Sequence, residues 1–237
     1  MAPSLWLSRL PDGTPEIFSS FQGEGITARL PSVFLRLAGC NLHCSWCDTR
    51  YTWDWERYDK NKETAHSSVI DVQTLLQQWG PQNVVITGGE PMLQQRALVP
   101  LVARLRPQGF RFEVETNATV PILPEFDWHI SQYNCSPKLA SSGNTPEERE
   151  TEAVREYAAS RKSWFKFVVT NPRDVREVHA FVARYGIAPR HVILMPEGTT
   201  REALFAKYQW VRVTAGHCGF RWSRRLHIEL YGDERGR

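Results

Sequence analysis

Cys40, Cys44 and Cys47 stand within eight residues, in the stretch AGCNLHCSWCDT, with the spacing C-x3-C-x2-C. Three thiols this close together read as metal ligands. The residues around them, Asn41, His43, Ser45 and Asp48, are polar, which argues against thiols placed merely to fill a core. Structural zinc needs four nitrogen or sulfur ligands in a closed tetrahedron. His43, His66, Cys135 and Cys218 are candidates for the fourth, but the paired C-x2-C…C-x2-C pattern of such sites is absent. A cubic [4Fe–4S] cluster is held by thiolates, one per iron. Three cysteines on one loop then leave one iron open, and an open coordination position marks a catalytic metal rather than a structural one.

The chain that must position this loop has 237 residues, 41% hydrophobic and 23% charged, which suits one large α/β domain or two small ones. Its net charge of +3 is too small to imply a nucleic-acid partner. Five cysteines, three of them clustered, point away from a disulfide framework and towards metal or redox chemistry in a reducing compartment. The N-terminal MAPSLWLSRLPDGTPEIF lacks a basic segment followed by a long apolar run, and no uninterrupted apolar stretch is long enough to span a bilayer. A cytoplasmic chain is expected, with neither nucleic acid nor membrane as partner.

PSVFLRLAG (31–39) predicts a buried strand that delivers the cysteine loop. SSVIDVQTLLQQWG (67–80) predicts a helix capped by Ser68, with Asp71 three residues on and Val72, Leu75, Leu76 and Trp79 sharing a face. NVVITGGEP predicts a strand entering a glycine turn, and MLQQRALVPLVARLRPQG a helix that Pro100 can kink. FRFEVETNA, DWHISQYNCSPK, WFKFVVTN, RHVILMPEG and RLHIELYG (225–232) predict further strands. TPEERETEAVREYAASR (145–161) predicts an exposed helix, and PRDVREVHAFVARYG and TREALFAKYQWV two more. Alternating strands and helices imply a largely parallel sheet with helices outside it, either doubly wound or a partial barrel. Ligands are then expected at the polar loops after the strands. Those loops read CNLHCSWCDT, TGGEP, ETNAT, SPKLASSG, VTNP and MPEGTT; no G-x-G-x-x-G follows any strand, so a dinucleotide site has no support.

C-x3-C-x2-C resembles the signature of radical S-adenosylmethionine (SAM) enzymes, whose open iron chelates SAM. Trp46, just before the last cysteine, matches the superfamily's aromatic position near the adenine, and TGGEP (87–91) resembles its GGEP motif, which contacts the SAM amino group. Together with EIFSSFQGEG (16–25), FLRLAGCNLHCSWCDT, TGGEPMLQ, ETNAT, SPKLASSG and LHIELYGDERGR, most of the chain closely resembles the 7-carboxy-7-deazaguanine synthase family.

The resemblance implies a single domain over 1–237, α/β, with the partial (β/α) barrel of the radical SAM type and a largely parallel sheet. It implies a substrate-binding segment at 16–25, and the polar, aromatic stretch 52–68 is a candidate active-site cover. The implied reaction converts 6-carboxy-5,6,7,8-tetrahydropterin to 7-carboxy-7-deazaguanine with loss of ammonia, using a [4Fe–4S] cluster, SAM and Mg2+. Cys40, Cys44 and Cys47 would hold the cluster and Thr49 the magnesium. SAM contacts would come from Trp46, Asp48, Gly89, Glu115, Ser136, Pro137 and Lys138, and substrate contacts from Phe21, Gln22, Gly23, Glu24, Arg36, Thr87 and His227. A homodimer and an electron donor such as flavodoxin or ferredoxin are also implied.

Arg36 can meet an anion through its planar fork, and Gln22 and Glu24 suit the polar edge of a pterin. The tail GDERGR lacks the terminal proline whose carboxylate meets substrate in some members, so that contact is not carried over. Arg221, Arg224 and Arg225 read as a solvated basic face. Two rival functions are a glycyl-radical-enzyme activase and a non-enzymatic zinc-binding adaptor.

Overall fold

The apolar segments expected as strands pair side by side into one large sheet. In the computed structural model, which describes residues 3–80 and 82–237, the strands are β1 (Ser4–Ser8), β2 (Ile17–Phe21), β3 (Pro31–Leu37), β4 (Thr64–Ser68), β5 (Asn83–Gly88), β6 (Arg111–Thr116), β7 (Gln132–Cys135), β8 (Ser163–Val169), β9 (Val192–Pro196) and β10 (Arg221–Trp222). Their order is β10-β9-β8-β7-β6-β5-β3-β1-β4, with β2 also on β3. β3 and β5 through β10 run parallel, whereas β1 and β2 lie antiparallel to β3, and β4 antiparallel to β1. The sheet does not close; β10 and β4 are its edges. This is the largely parallel α/β arrangement expected, opened into a partial barrel.

Parallel strands covered on both faces need near-continuous apolar sequence. Val84, Val85, Ile86, Phe112, Val114, Phe165, Phe167 and Leu194 meet that need and are almost fully buried. Helices at Val69–Gln77, Gln95–Leu105, Ala153–Ala159, Pro172–Tyr185 and Arg201–His217 complete the crossovers. The first begins at Ser68, whose hydroxyl accepts from the Asp71 N–H at 3.1 Å. Its buried face is Val69, Val72 and Leu76, while Trp79 lies beyond its end and is exposed. The helix Gln95–Leu105 runs on through Pro100 and buries Leu98, Leu101, Val102 and Leu105.

Three expectations are corrected. RLHIELYG is not a strand: only Arg221–Trp222 pairs, and Leu226–Tyr231 is helical. Its short apolar alternation does not specify a strand against tertiary contacts. The Leu226 N–H donates to the Gly23 carbonyl at 2.9 Å, and Arg201 Nε to the Glu229 carbonyl at 3.1 Å. Second, the helix expected over 145–161 is two, Pro146–Arg149 and Ala153–Ala159, broken where the Thr151 hydroxyl donates to the Thr119 carbonyl at 2.8 Å. Nor is it exposed, since Ala153, Val154 and Tyr157 are buried. Third, β1, β2 and β4 were unexpected. β4, TAHSS, has no apolar alternation and is a strand because β1 offers it a ladder. The stretch 52–68 thus ends as sheet edge.

Candidate active site

A cavity of about 420 Å³ opens at the C-terminal ends of the parallel strands. Arg36 on β3 sits opposite Thr87 on β5, and Glu115 on β6 opposite Asn134 on β7. Lys166 of β8 and Met195 of β9 extend the floor. All the site residues expected from the sequence line this one cavity except Pro137, which is buried outside its wall.

The cysteine loop forms one wall, and Cys40, Cys44 and Cys47 are all free. Each sulfur accepts an N–H: from Leu42 backbone to Cys40 at 3.4 Å, from Asn144 Nδ2 to Cys44 at 3.2 Å, and from Trp53 Nε1 to Cys47 at 3.3 Å. Donors aimed at sulfur suit thiolates that bear negative charge. Burial pushes the Cys40 thiol up to about 12 and raises Cys47 as well, and a bound metal, by supplying compensating charge, favours the thiolate form of both. Among the described residues no three His, Cys, Asp or Glu side chains gather around one metal position. Cys40, Cys44 and Cys47 all line the same cavity, and a cubic cluster takes one thiolate per iron. Donor chemistry and spacing both fit an iron–sulfur cluster.

The segment 136–144 packs under this loop. The Ser45 N–H donates to the Ser142 carbonyl at 2.8 Å, the His43 N–H to Asn144 Oδ1 at 2.8 Å, and Trp46 Nε1 to the Ser141 carbonyl at 3.0 Å. Lys138 Nζ lies 5.5 Å from the Trp46 ring centre and 3.0 Å from Ser136 Oγ. Ser136, Lys138 and Trp46 therefore form one polar and aromatic ledge.

The glycine turn abuts the same loop from the other side. A Cβ on Gly88, at φ +146°, would lie 2.1 Å from the Leu37 carbonyl oxygen, and one on Gly89 would lie 2.1 Å from that of Gly39. Both contacts are backbone against backbone. Glu90 turns inward instead, fully buried, accepting from Met92 N at 3.0 Å, Thr116 Oγ1 at 2.8 Å and Asn117 N at 2.7 Å. It ties the glycine turn to the loop after β6.

Glu24 occupies the opposite wall. It pairs with Lys166, with Arg225 Nε at 3.0 Å, and has His227 Nε2 at 3.8 Å. Burial alone would raise its pKa, but Lys166 and Arg225, with a lesser push from His227, hold it well below the usual carboxylate range. Arg225 also bonds the Gly198 carbonyl at 2.6 Å and Asp48 of the cysteine loop. Burial lowers His227, so its imidazole is neutral near pH 7. Gly23 makes room for it, since a Cβ there would meet His227 Nδ1 at 2.3 Å.

This sets a pH signature. A carboxylate with a depressed folded pKa contributes stability that is present above the unfolded value, near 4.5, and lost as pH falls through the folded value. Glu24→Gln removes that contribution. The stability gap between wild type and variant, read from denaturant midpoints, is expected to narrow between pH 5 and pH 3; a gap independent of pH would mean that Glu24 is not held ionised.

Gln22 is used at both ends, with Oε1 accepting from Glu24 N at 3.2 Å and Nε2 donating to Glu115 at 3.2 Å. The other Glu115 oxygen accepts from Thr87 Oγ1 at 3.1 Å. Glu115, expected as a SAM contact, thus links Gln22 and Thr87, two residues expected to face substrate. Arg36 Nε donates to buried Glu16 at 2.7 Å, and Tyr51 OH donates to the same oxygen at 3.0 Å. Among the described residues neither Arg36 Nη group has a hydrogen-bond partner, so both can meet an anion. Thr49 lines the cavity with its hydroxyl 3.7 Å from Cys47 Sγ. It offers a hard cation a single oxygen, and Asp48 beside it is taken by Arg225. Magnesium here fits only if substrate and water complete its shell.

Sequence reading missed Lys166, Arg225, Glu16, Trp53 and Asn144. Lys166 had a usable signal, a lone charge inside the apolar WFKFVV. Arg225 did not: expected on a solvated face, it is buried between Glu24 and Asp48. Of that basic group, Arg224 pairs with Glu229 and Arg221 covers Trp164.

Residues 21–120 match the family described as a 4Fe-4S single cluster domain. The chain is 41% identical over 223 residues to a 7-carboxy-7-deazaguanine synthase of Pyrobaculum aerophilum, covering 94% of this chain and 96% of that one. It is 37% identical to one from Halobacterium salinarum, covering 92% and 90%. Among solved structures it resembles QueE from Escherichia coli, with a TM-score of 0.69 and 26% identity over 94% of this chain and 95% of that chain. SuiB of Streptococcus suis bound to S-adenosylmethionine shares the fold, at a TM-score of 0.51 and 16% identity over 81% and 50%.

Proposed function

The chain belongs to the 7-carboxy-7-deazaguanine synthase family, and from that premise we propose that it is a radical SAM lyase converting 6-carboxy-5,6,7,8-tetrahydropterin to 7-carboxy-7-deazaguanine with release of ammonia. The observation that carries this reading is the meeting, in one cavity, of three N–H-bonded cysteine sulfurs on one wall and Glu24, paired with Lys166 and Arg225, on the other. Neither rival has a use for that second wall: a zinc adaptor needs no cavity, and an activase acts on a protein.

Cys40, Cys44 and Cys47 would hold the cluster, and Trp46, Gly89, Ser136 and Lys138 would border SAM. When bound, the cluster and SAM supply the hydrogen-abstracting radical. The protein's own work is selection and orientation. Glu24, kept ionised, can only accept hydrogen bonds, so it selects the N–H edge of the pyrimidine ring. Neutral His227 offers a donor or an acceptor beside it. Arg36 is positioned by Glu16 and Tyr51 to take the substrate carboxylate through its free Nη groups. Thr49 would share magnesium with that carboxylate. Burial matters because unpaired polar groups left by a wrong ligand are costly, about 1–3 kcal/mol each.

Trp53 and Tyr58 line the cavity, which supports the first half of 52–68 as its cover. No helix among the described residues is long and apolar enough to cross a membrane. A cytoplasmic homodimer, reduced by a donor such as flavodoxin or ferredoxin, completes the proposal; the free cysteines agree with a reducing compartment.

The test is anaerobic incubation of the reconstituted, brown protein with SAM, reductant, magnesium and the carboxytetrahydropterin, followed by mass analysis. Formation of 7-carboxy-7-deazaguanine is expected. Formation of 5′-deoxyadenosine without it would reject the substrate and retain the radical chemistry; tightly bound zinc with no iron-dependent absorbance would reject both.

A further inference from the structure

Two side chains that are given no contact with SAM or substrate above point their N–H groups at cysteine sulfurs. Trp53 Nε1 lies 3.3 Å from Cys47 Sγ, and Asn144 Nδ2 lies 3.2 Å from Cys44 Sγ. They come from different parts of the chain: Trp53 from the turn just past the cysteine loop, Asn144 from the segment packed beneath it. The bond from Leu42 N to Cys40 is local, two residues on, and any such loop could make it. The bonds from Trp53 and Asn144 require the fold.

Resting on the reading that the three cysteines hold an iron–sulfur cluster, we propose that Trp53 and Asn144 are positioning residues that raise the reduction potential of that cluster. An N–H directed at a ligating sulfur stabilises the reduced state, which carries more negative charge, over the oxidised one. Inside a protein the effect is stronger than in water, because the dielectric is low. The indole is suited to this task. It donates without accepting, its N–H bonds Cys47, and its ring is held edge-on by His43 at 5.0 Å between centres. Asn144 does more than one job: it accepts from His43 N at 2.8 Å and donates to Ser142 Oγ at 3.0 Å. Trp53 is therefore the cleaner probe. A chain that must take one electron from a low-potential donor gains from each donor that moves the cluster upward towards that donor's reach.

The experiment uses full-length protein reconstituted anaerobically, with iron content measured first and the reduction potential then read from the paramagnetic signal of the reduced cluster. Trp53→Phe keeps the ring and removes the N–H. Its potential is expected to fall with iron content unchanged, so that at one fixed poise the reduced-to-oxidised ratio drops several-fold, a tenfold drop corresponding to about 59 mV for one electron. Asn144→Ala is expected to shift it the same way. An unchanged potential in either variant, with the cluster complete, overturns that residue's role. Wild type that binds no iron overturns instead the cluster reading on which the proposal rests. Should Trp53→Phe fail to assemble a cluster, the same question is put to protein carrying native Trp53 and 15N-labelled indole, with Trp46→Phe removing the other indole of the loop. A 15N coupling to the reduced cluster spin supports the bond, and its absence overturns it.

Discussion

Arg225→Met is expected to lower kcat/KM by at least about 100-fold and to destabilise the protein by about 3 kcal/mol, within the range for breaking a buried ion pair. One guanidinium here serves three segments: Glu24 of the substrate wall, Asp48 of the cysteine loop, and the Gly198 carbonyl after β9. Methionine fills much of the volume but leaves the Asp48 carboxylate unpaired and Glu24 dependent on Lys166, with only the lesser push from His227. The Glu24 pKa then rises, because burial remains while part of the attraction opposing it is gone. Arg225→Lys separates charge from geometry. It restores the cation but not the fork that reaches all three partners, so it should recover stability more fully than activity. Urea midpoints together with product formation decide the matter, and a methionine variant that is both stable and active would mean that Arg225 is a bystander.

The second large effect is expected from Gly89→Ala. The usual reason for glycine in such a turn is room for a ligand. Here the added methyl group would meet the Gly39 carbonyl oxygen at 2.1 Å, its carbon at 2.6 Å, and Cys40 Cβ at 3.0 Å. The obstacle is backbone, so no rotamer change relieves it, and overpacking of this kind costs about 1–3 kcal/mol or more. The end of β5 must move away from the very residue that carries the first cysteine. The expected result is a several-fold loss of iron incorporation, read as iron per chain and visible absorbance. A variant with full iron content and weakened SAM binding would show that the glycine serves the ligand instead.

Much of the site was legible because its signals are local. C-x3-C-x2-C is a statement about one loop, TGGEP about one turn, and QGEG about one segment. Loops after parallel strands converge at one end of the sheet, so residues read separately as Arg36, Thr87, Glu115 and Lys138 arrive in one cavity. What resisted reading was of two kinds. Short segments such as RLHIELYG and TAHSS carry too little periodicity to choose a state, and their neighbours chose for them. The other kind is partnership: Arg225 lies 201 positions from Glu24 and 177 from Asp48, and nothing near it in the chain distinguishes it from solvated Arg221.

By itself, then, the sequence determined the parallel α/β plan, the three thiols and the end of the sheet where ligands bind, since apolar periodicity and ligand spacing are properties of short stretches. Only the tertiary structure decided which charges face each other and which N–H groups reach the sulfurs. Glu24 stays ionised because Lys166 and Arg225 reach it from elsewhere in the fold. Trp53 and Asn144 meet Cys47 and Cys44 only once their segments have packed. Burial magnifies such contacts by excluding water, and burial comes from the whole fold and not from any one segment.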